Sequence, residues 1–277
     1  MKDLKDKAAV VTGGNSGIGL GIARALAAEG ARILLTGMHA DKSDRAAKAL
    51  RDEFGIDAIG IASDATKRDQ VEALADRAYA EFGRVDLLVA NAGVGFRGQV
   101  HAVGDNDWDW LMGVNVRGLF LACSVFLPRF LAQGGPAHIA ITGSEQSVGM
   151  TPYGSMPVYA SSKHAVLGLA DGIRGDYAEK DISVTLLCPG PVATEIWDIE
   201  RDRPAEYGKR AQSNEESKKI IQELGMDPAI VGRMAVEGIK AGDFYVFTHA
   251  YIRDLVDGRY REMTAALNKT DTWPESR

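Results

Sequence analysis

The stretch Val10-Val11-Thr12-Gly13-Gly14-Asn15-Ser16-Gly17-Ile18-Gly19 decides the fold, because the periodicity of the chain changes in the middle of it. Residues 7–12 form a short apolar, β-branched run, whereas Ile18, Ile22, Ala25, Leu26 and Ala28 recur at helical spacing. Between strand and helix lie glycines in the pattern Gly-x3-Gly-x-Gly. They permit a tight turn and let an anionic group approach the backbone N–H groups at the positive end of the helix. The spacing differs from the dinucleotide fingerprint G-x-G-x-x-G, and a glycine-rich turn by itself is also what a purely structural corner would use.

Working outward, further short strand-like runs fall at 31–36, 57–62, 86–89, 137–142, 182–188 and 244–247, with longer helical patterns between them. The segment 67–82 is typical, with Val71, Leu74, Ala75 and Ala78 set between charges. Such alternation predicts an α/β, doubly wound, seven-stranded and mostly parallel sheet with helices on both faces. Ligands of such sheets bind beyond the carboxyl ends of the strands. Residues 1–277 read as one domain. A charged stretch at about 195–225, containing Arg201-Asp202-Arg203-Pro204 and Asn214-Glu215-Glu216-Ser217, breaks the rhythm and reads as a lid insertion, since periodic structure resumes at Asp227-Pro228. Residues from about 249 to 277 read as a C-terminal extension.

The 277 residues are 45% hydrophobic and 25% charged, the balance of a chain able to bury a substantial core. Its 32 basic and 38 acidic residues give a formal charge of −6 without a basic stripe, which argues against nucleic acid and anionic membranes as partners and for a small molecule. The opening Met1-Lys2-Asp3-Leu4-Lys5-Asp6-Lys7 lacks an apolar signal core, and no uninterrupted apolar run reaches the roughly 18–20 residues of a span, so a cytoplasmic location is expected. Cys123 and Cys188 lie in apolar runs and are expected to be buried thiols; His39, His101, His138, His164 and His249 form no ligand-spaced cluster, and no metal is expected.

Chemistry enters at Tyr159-Ala160-Ser161-Ser162-Lys163, which heads a helical pattern continuing through Leu167, Leu169 and Ile173. Four residues turn through roughly 400°, so Tyr159 and Lys163 share a helix face. A nearby ammonium is expected to lower the phenol from its reference of about 10 and give a proton relay. The same spacing also occurs freely on surface helices.

Taken together, these stretches resemble the short-chain dehydrogenase/reductase family, classical type. The family signature T-G-x-x-x-G-x-G matches Thr12, Gly13, Gly17 and Gly19, and the resemblance extends over nearly the whole chain. It implies a Rossmann-like fold, with Gly13, Asn15, Ser16, Gly17, Ile18 and Gly19 at the cofactor pyrophosphate. Asn91-Ala92-Gly93 corresponds to the family's N-A-G element, at the adenine ribose. Asp64 and Ala65 correspond to its adenine contact, although Asp64 also suits a helix N-cap. Pro189-Gly190-Pro191-Val192-Ala193-Thr194 is similar to the P-G-x-V-x-T segment around the carboxamide, with Pro189, Gly190, Val192 and Thr194 as contacts. Tyr159 and Lys163 become catalytic and cofactor-binding together. A serine at the end of the fifth strand would orient the carbonyl. Ser144 sits at that end, fifteen residues before Tyr159; Ser147 is twelve before, and the usual separation is about thirteen; the strand end favours Ser144, with Ser147 as its substrate-facing neighbour. Asn115 in Gly113-Val114-Asn115-Val116-Arg117-Gly118 matches the family's N-x-x-G asparagine and implies a water held between it and Lys163, or else a structural kink.

The implied activity is NAD(P)-dependent interconversion of a secondary alcohol and a ketone by hydride transfer. At the second strand end, Gly37 stands where an acid would bond the ribose diol, with His39, Lys42 or Arg45 able to approach a phosphate, so the reading tips to NADP(H) over NAD(H). The segments 94–99, 145–157 and 195–225 are expected around the substrate, with Ser144, Gln146, Tyr153 and Trp197 in contact and Val94, Phe96, Met150, Met156 and Ile196 nearby. This apolar and aromatic set suits an aryl-bearing substrate. Arg203-Pro204-Ala205-Glu206-Tyr207-Gly208 and Asn214-Glu215-Glu216-Ser217 are similar to segments of bacterial aryl-ether Cα-dehydrogenases. The resemblance also implies a homodimer or homotetramer, for which the apolar 119–131 helix would serve. The rival readings are a same-fold epimerase or dehydratase using bound nicotinamide, and a non-catalytic cofactor-binding regulator.

Overall fold

The computed structural model describes residues 1–150, 156–196, 198, 200–209 and 215–270. Seven parallel strands form one sheet: β1 (Ala8–Val11), β2 (Arg32–Gly37), β3 (Ala58–Ala62), β4 (Leu87–Ala90), β5 (Ala137–Thr142), β6 (Ile182–Cys188) and β7 (Tyr245–Phe247). The order is β3-β2-β1-β4-β5-β6-β7. Winding reverses between β1 and β4, whose register pairs Val10 with Leu88 and Val11 with Val89. Every residue of β1 and β4 is buried, because helices cover both faces and leave no polar side to the sheet.

The crossover helices are α1 (Gly17–Ala28), α2 (Ala40–Phe54), α3 (Arg68–Phe82), α4 (Asp105–Met112), α5 (Gly118–Gln133) and α6 (Pro157–Tyr177), followed by α7 (Glu215–Leu224), α8 (Pro228–Ala241) and α9 (Ile252–Thr270). The predicted stripes face inward: Ile22 and Leu26 pack on one face of the sheet, and Val71, Leu74, Ala75 and Ala78 on the other. Cys123 and Cys188 are buried free thiols.

Between α4 and α5 the helix widens into one π turn, Gly113–Arg117, so that 105–133 is one helical run. That run of 29 residues is long and apolar enough to cross a membrane by length and composition, with 61% of its apolar window buried inside this fold. This amends the sequence expectation of no span-like segment. Asn115 and Arg117 interrupt the apolar string within this run without lowering its average enough.

Two glycines set the closest helix packing. A Cβ on Gly232 of α8 would stand 2.2 Å from the Gly21 carbonyl carbon and oxygen in α1, and one on Gly21 would stand 2.1 Å from the Pro228 oxygen. Backbone cannot yield there, so Gly232→Val is expected to destabilise the protein by about 3 kcal/mol or more, the upper range of overpacking, measured as a lowered urea midpoint at unchanged m-value.

Candidate active site

At the carboxyl ends of the strands lies a cavity of about 300 Å³, lined by residues from every segment singled out in the sequence. On one side are Gly13, Asn15, Ser16, Gly17 and Ile18, then Gly37, Asp64, Ala65, Asn91, Ala92 and Gly93; on the other are Ser144, Gln146, Tyr159, Lys163, Pro189, Gly190, Val192 and Thr194. Gly13 and Gly17 adopt φ of +61° and +53°, values that β-carbon-bearing residues rarely take. Gly19 lies behind the cavity wall: its missing Cβ would stand 2.2 Å from the Gly13 oxygen. The start of α1 has no acidic residue in its first turn and no side-chain cap at Ser16, leaving its amides available to an anion. These features fit a dinucleotide pyrophosphate.

Asn91 ties the strand ends together. Its Nδ2 donates to the oxygens of Thr12 and Gly13, both at 3.1 Å, and its Oδ1 accepts from Thr142 Oγ1 at 3.0 Å. Thr12 Oγ1 in turn accepts from the backbone N–H groups of Asn91 and Ala92. Asp64 is not the cap of α3, a place taken by Lys67; its Oδ1 accepts from the amide and hydroxyl of Thr66, folding a turn that presents Asp64 to the cavity.

The reacting end centres on α6. Tyr159 and Lys163 are 9% and 5% exposed, and the Lys163 ammonium stands 5.7 Å from the Tyr159 ring centre and donates to the Thr142 oxygen at 3.1 Å. Burial raises the Tyr159 phenol to about 12, against a hydrogen bond with Ser144 that lowers it, and Glu145 raises it further. Burial likewise brings Lys163 down to about 8. The expected lowering of the phenol by its ammonium neighbour is therefore reversed: removing the phenolate from water outweighs that attraction. At neutral pH the tyrosine holds its proton.

The two serine candidates separate by their partners. Ser144 lines the cavity with Tyr159, and its Oγ accepts from the Gln146 N–H at 3.1 Å. Ser147 is fully buried, and its Oγ accepts from the Ser144 N–H at 3.1 Å in a reciprocal cap. Asn115 lies within the π turn behind the cavity wall. Its Oδ1 accepts from the Val94 amide at 2.8 Å, while Nδ2 donates to the Val94 oxygen and to Ser162 Oγ, both at 3.0 Å, pinning the 93–95 loop to α6.

Val94, Phe96, Gln146, Met156 and Ile196 line the cavity as expected, whereas Met150 is 53% exposed and outside it. Tyr153 and Trp197 lie outside the described residues. Arg97, Glu145, Arg201, Asp202 and Tyr207 also line the cavity, within the segments 94–99, 145–157 and 195–225 expected around the substrate, whereas Trp110 and Val114 were missed by sequence reading. Trp110 carried no signal, sitting in the polar string Asp105-Asn106-Asp107-Trp108-Asp109-Trp110. Glu145, directly after Ser144, is buried, accepts a hydrogen bond from the Tyr251 hydroxyl, and has its carboxyl raised by burial. Phe96, Trp110, Leu111, Val158 and Tyr159 form one apolar cluster, with Val94, Val114, Met156 and Tyr207 packed against it.

Residues 7–205 match the family described as short chain dehydrogenase. The chain belongs to that family. It is 29% identical over 280 residues to a C alpha-dehydrogenase from Sphingobium sp. strain NBRC 103272 / SYK-6, covering 99% of this chain and 91% of that one. Among solved structures, a short chain dehydrogenase/reductase from Burkholderia phymatum in complex with NAD superposes with a TM-score of 0.91 at 34% identity, covering 96% of this chain and 97% of that one. The apo form of LigO from Sphingobium sp. strain SYK-6 gives 0.84 at 30% identity over 100% and 94%. This short chain dehydrogenase is thus an oxidoreductase dependent on a nicotinamide cofactor and acting on a small molecule.

The segment 200–209 is fastened to α4 by Arg203, whose side chain is 2% exposed. It pairs with Asp107 at 2.7 Å, lies 5.0 Å from the Trp110 ring centre, and donates to the oxygens of Tyr207 and Gly208. Removing one member of a buried pair strands the other charge. Arg203→Met is expected to speed amide hydrogen exchange across 200–209 by about a hundredfold or more, on the ~3 kcal/mol scale of a broken buried pair, with the central strands unchanged.

Proposed function

We propose that this enzyme interconverts a secondary alcohol and a ketone next to an apolar, aryl-bearing group, within one catalytic domain carrying the 195–225 lid and the 249–277 extension. The observation that carries the reading is the buried Tyr159–Lys163 pair, which shares a cavity wall with Ser144 and the glycine turn. The aromatic cluster of Phe96, Trp110 and Tyr207 beside Tyr159 supports an aryl substrate, as does the likeness to a C alpha-dehydrogenase.

In this reading Gly13, Asn15, Ser16, Gly17 and Ile18 would hold the pyrophosphate, Asp64, Ala65, Asn91, Ala92 and Gly93 the adenosine, and Pro189, Gly190, Val192 and Thr194 the carboxamide. When bound, the nicotinamide supplies the hydride donor or acceptor. Ser144 Oγ donates to the substrate oxygen and fixes it beside Tyr159, a donor aimed where negative charge develops. Tyr159 gives its proton to that oxygen in reduction and takes it back in oxidation. Lys163, held by the Thr142 carbonyl, places an ammonium beside the phenol and against the nicotinamide ribose. Asn115 positions α6 and the 93–95 loop, completing the relay. Gly37 by itself favours NADP(H), because no acid of β2 repels a 2′-phosphate; the lid brings carboxylates to the same mouth, and these favour NAD(H). Assembly as a homodimer or homotetramer would use α5, whose Phe120 and Leu131 are half-exposed.

Stoichiometric consumption of reduced cofactor with an aryl ketone distinguishes this reaction from an epimerase, a dehydratase or a regulator, and its absence over a broad panel of carbonyls and alcohols would refute the reading. Tyr159→Phe is expected to lower kcat about a thousandfold while cofactor binding persists, the scale of a lost general acid; full turnover in that variant would remove Tyr159 from the reaction. Since Lys163 is brought down to about 8, its ammonium is present below that pH and lost above it. Ketone reduction should accordingly fall as pH rises through 8, and Lys163→Arg, whose guanidinium stays charged, should lack that limb at a lower overall rate.

A further inference from the structure

Beyond the end of β2 the strand itself supplies no charge. A Cβ on Gly37 would lie 2.0 Å from Asn15 Nδ2, and that amide donates to Ser43 Oγ at 3.1 Å, so Asn15 fills the space that an acid on the strand would need. Arg45 is turned to Asp41 at 2.8 Å on the surface, and neither it nor Lys42 lines the cavity. Charge arrives from the lid instead. Asp202 lines the cavity, with Oδ1 3.1 Å from Nε2 of His39, two residues past Gly37, and Oδ2 accepting from Arg201 Nε at 2.9 Å. Arg201 is also paired with Glu195 at 2.5 Å. Around this one guanidinium stand two lid carboxylates, with Asp64 lining the same cavity.

We infer that Asp202 delivers from the lid the carboxylate that β2 lacks, so that the closed lid selects the free ribose diol of NAD(H) against the 2′-phosphate of NADP(H). The inference rests on the reading of the cavity as a nicotinamide dinucleotide site. A carboxylate offers about four lone-pair sites, and His39 and Arg201 occupy two, leaving acceptors for hydroxyl donors. A 2′-phosphate would bring further negative charge against a carboxylate already shared by Arg201, whose own charge is spent on two acids. Because Asp202 is 28% exposed, its field is only partly screened by water. The His39 contact makes the same residue a latch, joining the lid to the start of α2, while Arg203 anchors the segment to α4 on the other side.

The test is calorimetric titration of the full-length protein with NAD+ and NADP+, repeated with ADP-ribose and its 2′-phosphorylated form to isolate the adenosine end. The wild type is expected to bind NAD+ more tightly. Asp202→Asn should narrow the NADP+/NAD+ ratio of Kd values by about tenfold, chiefly through tighter NADP+ binding, on the scale of one partly screened like-charge contact. Asp202→Glu, which keeps the charge, should preserve the ratio. Tighter binding of NADP+ by the wild type, or an unchanged ratio in Asp202→Asn at unchanged Tm, would overturn the inference while leaving the proposed reaction standing. Failure to bind either dinucleotide would instead bring down the proposed function and this inference with it.

Discussion

The amide of Asn91 is the contact on which the rest of the site depends. It sits where the winding of the sheet reverses, and at such a point the strand ends diverge and leave polar backbone groups without ladder partners. Asn91 satisfies them with one side chain: the oxygens of Thr12 and Gly13 on one side, the Thr142 hydroxyl on the other. Thr142 then accepts from Lys163 through its backbone oxygen. A continuous set of hydrogen bonds therefore runs from the glycine turn to the reacting end. The glycines follow from the same amide, since Cβ atoms on Gly13 and Gly19 would lie 3.2 and 2.5 Å from Asn91 Nδ2.

Around that fixed centre the two ends of the cavity differ in kind. The reacting end is dry and polar at only a few atoms, and burial there governs protonation: the phenol is pushed up and the ammonium down, so each is driven toward its neutral form. A protonated tyrosine beside a lysine that titrates near 8 suits proton donation to a carbonyl at neutral pH. The other end is charged, its walls combining the end of β2 and the start of α1 with loop residues such as Asp64 and Asp202. Tyr159 and Lys163 stand on a helix, whereas Arg201 and Asp202 stand on a segment outside helix and strand that ion pairs hold in place.

The segment 200–209 and the cavity meet at α4. Arg203 reaches from the lid to Asp107 and Trp110, and Trp110 packs in the same cluster as Tyr159. Asn115, in the π turn that follows α4, holds the loop beneath the substrate end. A π turn inserts one extra residue into the helix and re-aims the side chains around it, which is how an amide enters an otherwise apolar helix without being left unsatisfied.

The sequence by itself determined the strands to within a residue or so, because parallel strands buried on both faces must be short, apolar and β-branched, and the glycine turn and the four-residue Tyr159–Lys163 spacing are local. Nearly all cofactor-contact candidates fell on one cavity for the same reason, since strand ends converge in any such sheet. Only the tertiary structure showed that Ser144 lines the cavity while Ser147 is fully buried, although the hydroxyls of both take part in the cap of the 144–147 turn. Tertiary burial also set the direction of the Tyr159 shift, which spacing alone misread by counting the ammonium and not the lost water. Trp110 gave no signal in the sequence; Glu145 and Asp202 lay in segments expected around the substrate, but Tyr251 and His39, which they meet, are far along the chain. The surroundings of Gly37 depend on distance in the same way: Gly37 is a local feature, and Asp202, which meets His39 beyond the end of β2, lies more than 160 residues away.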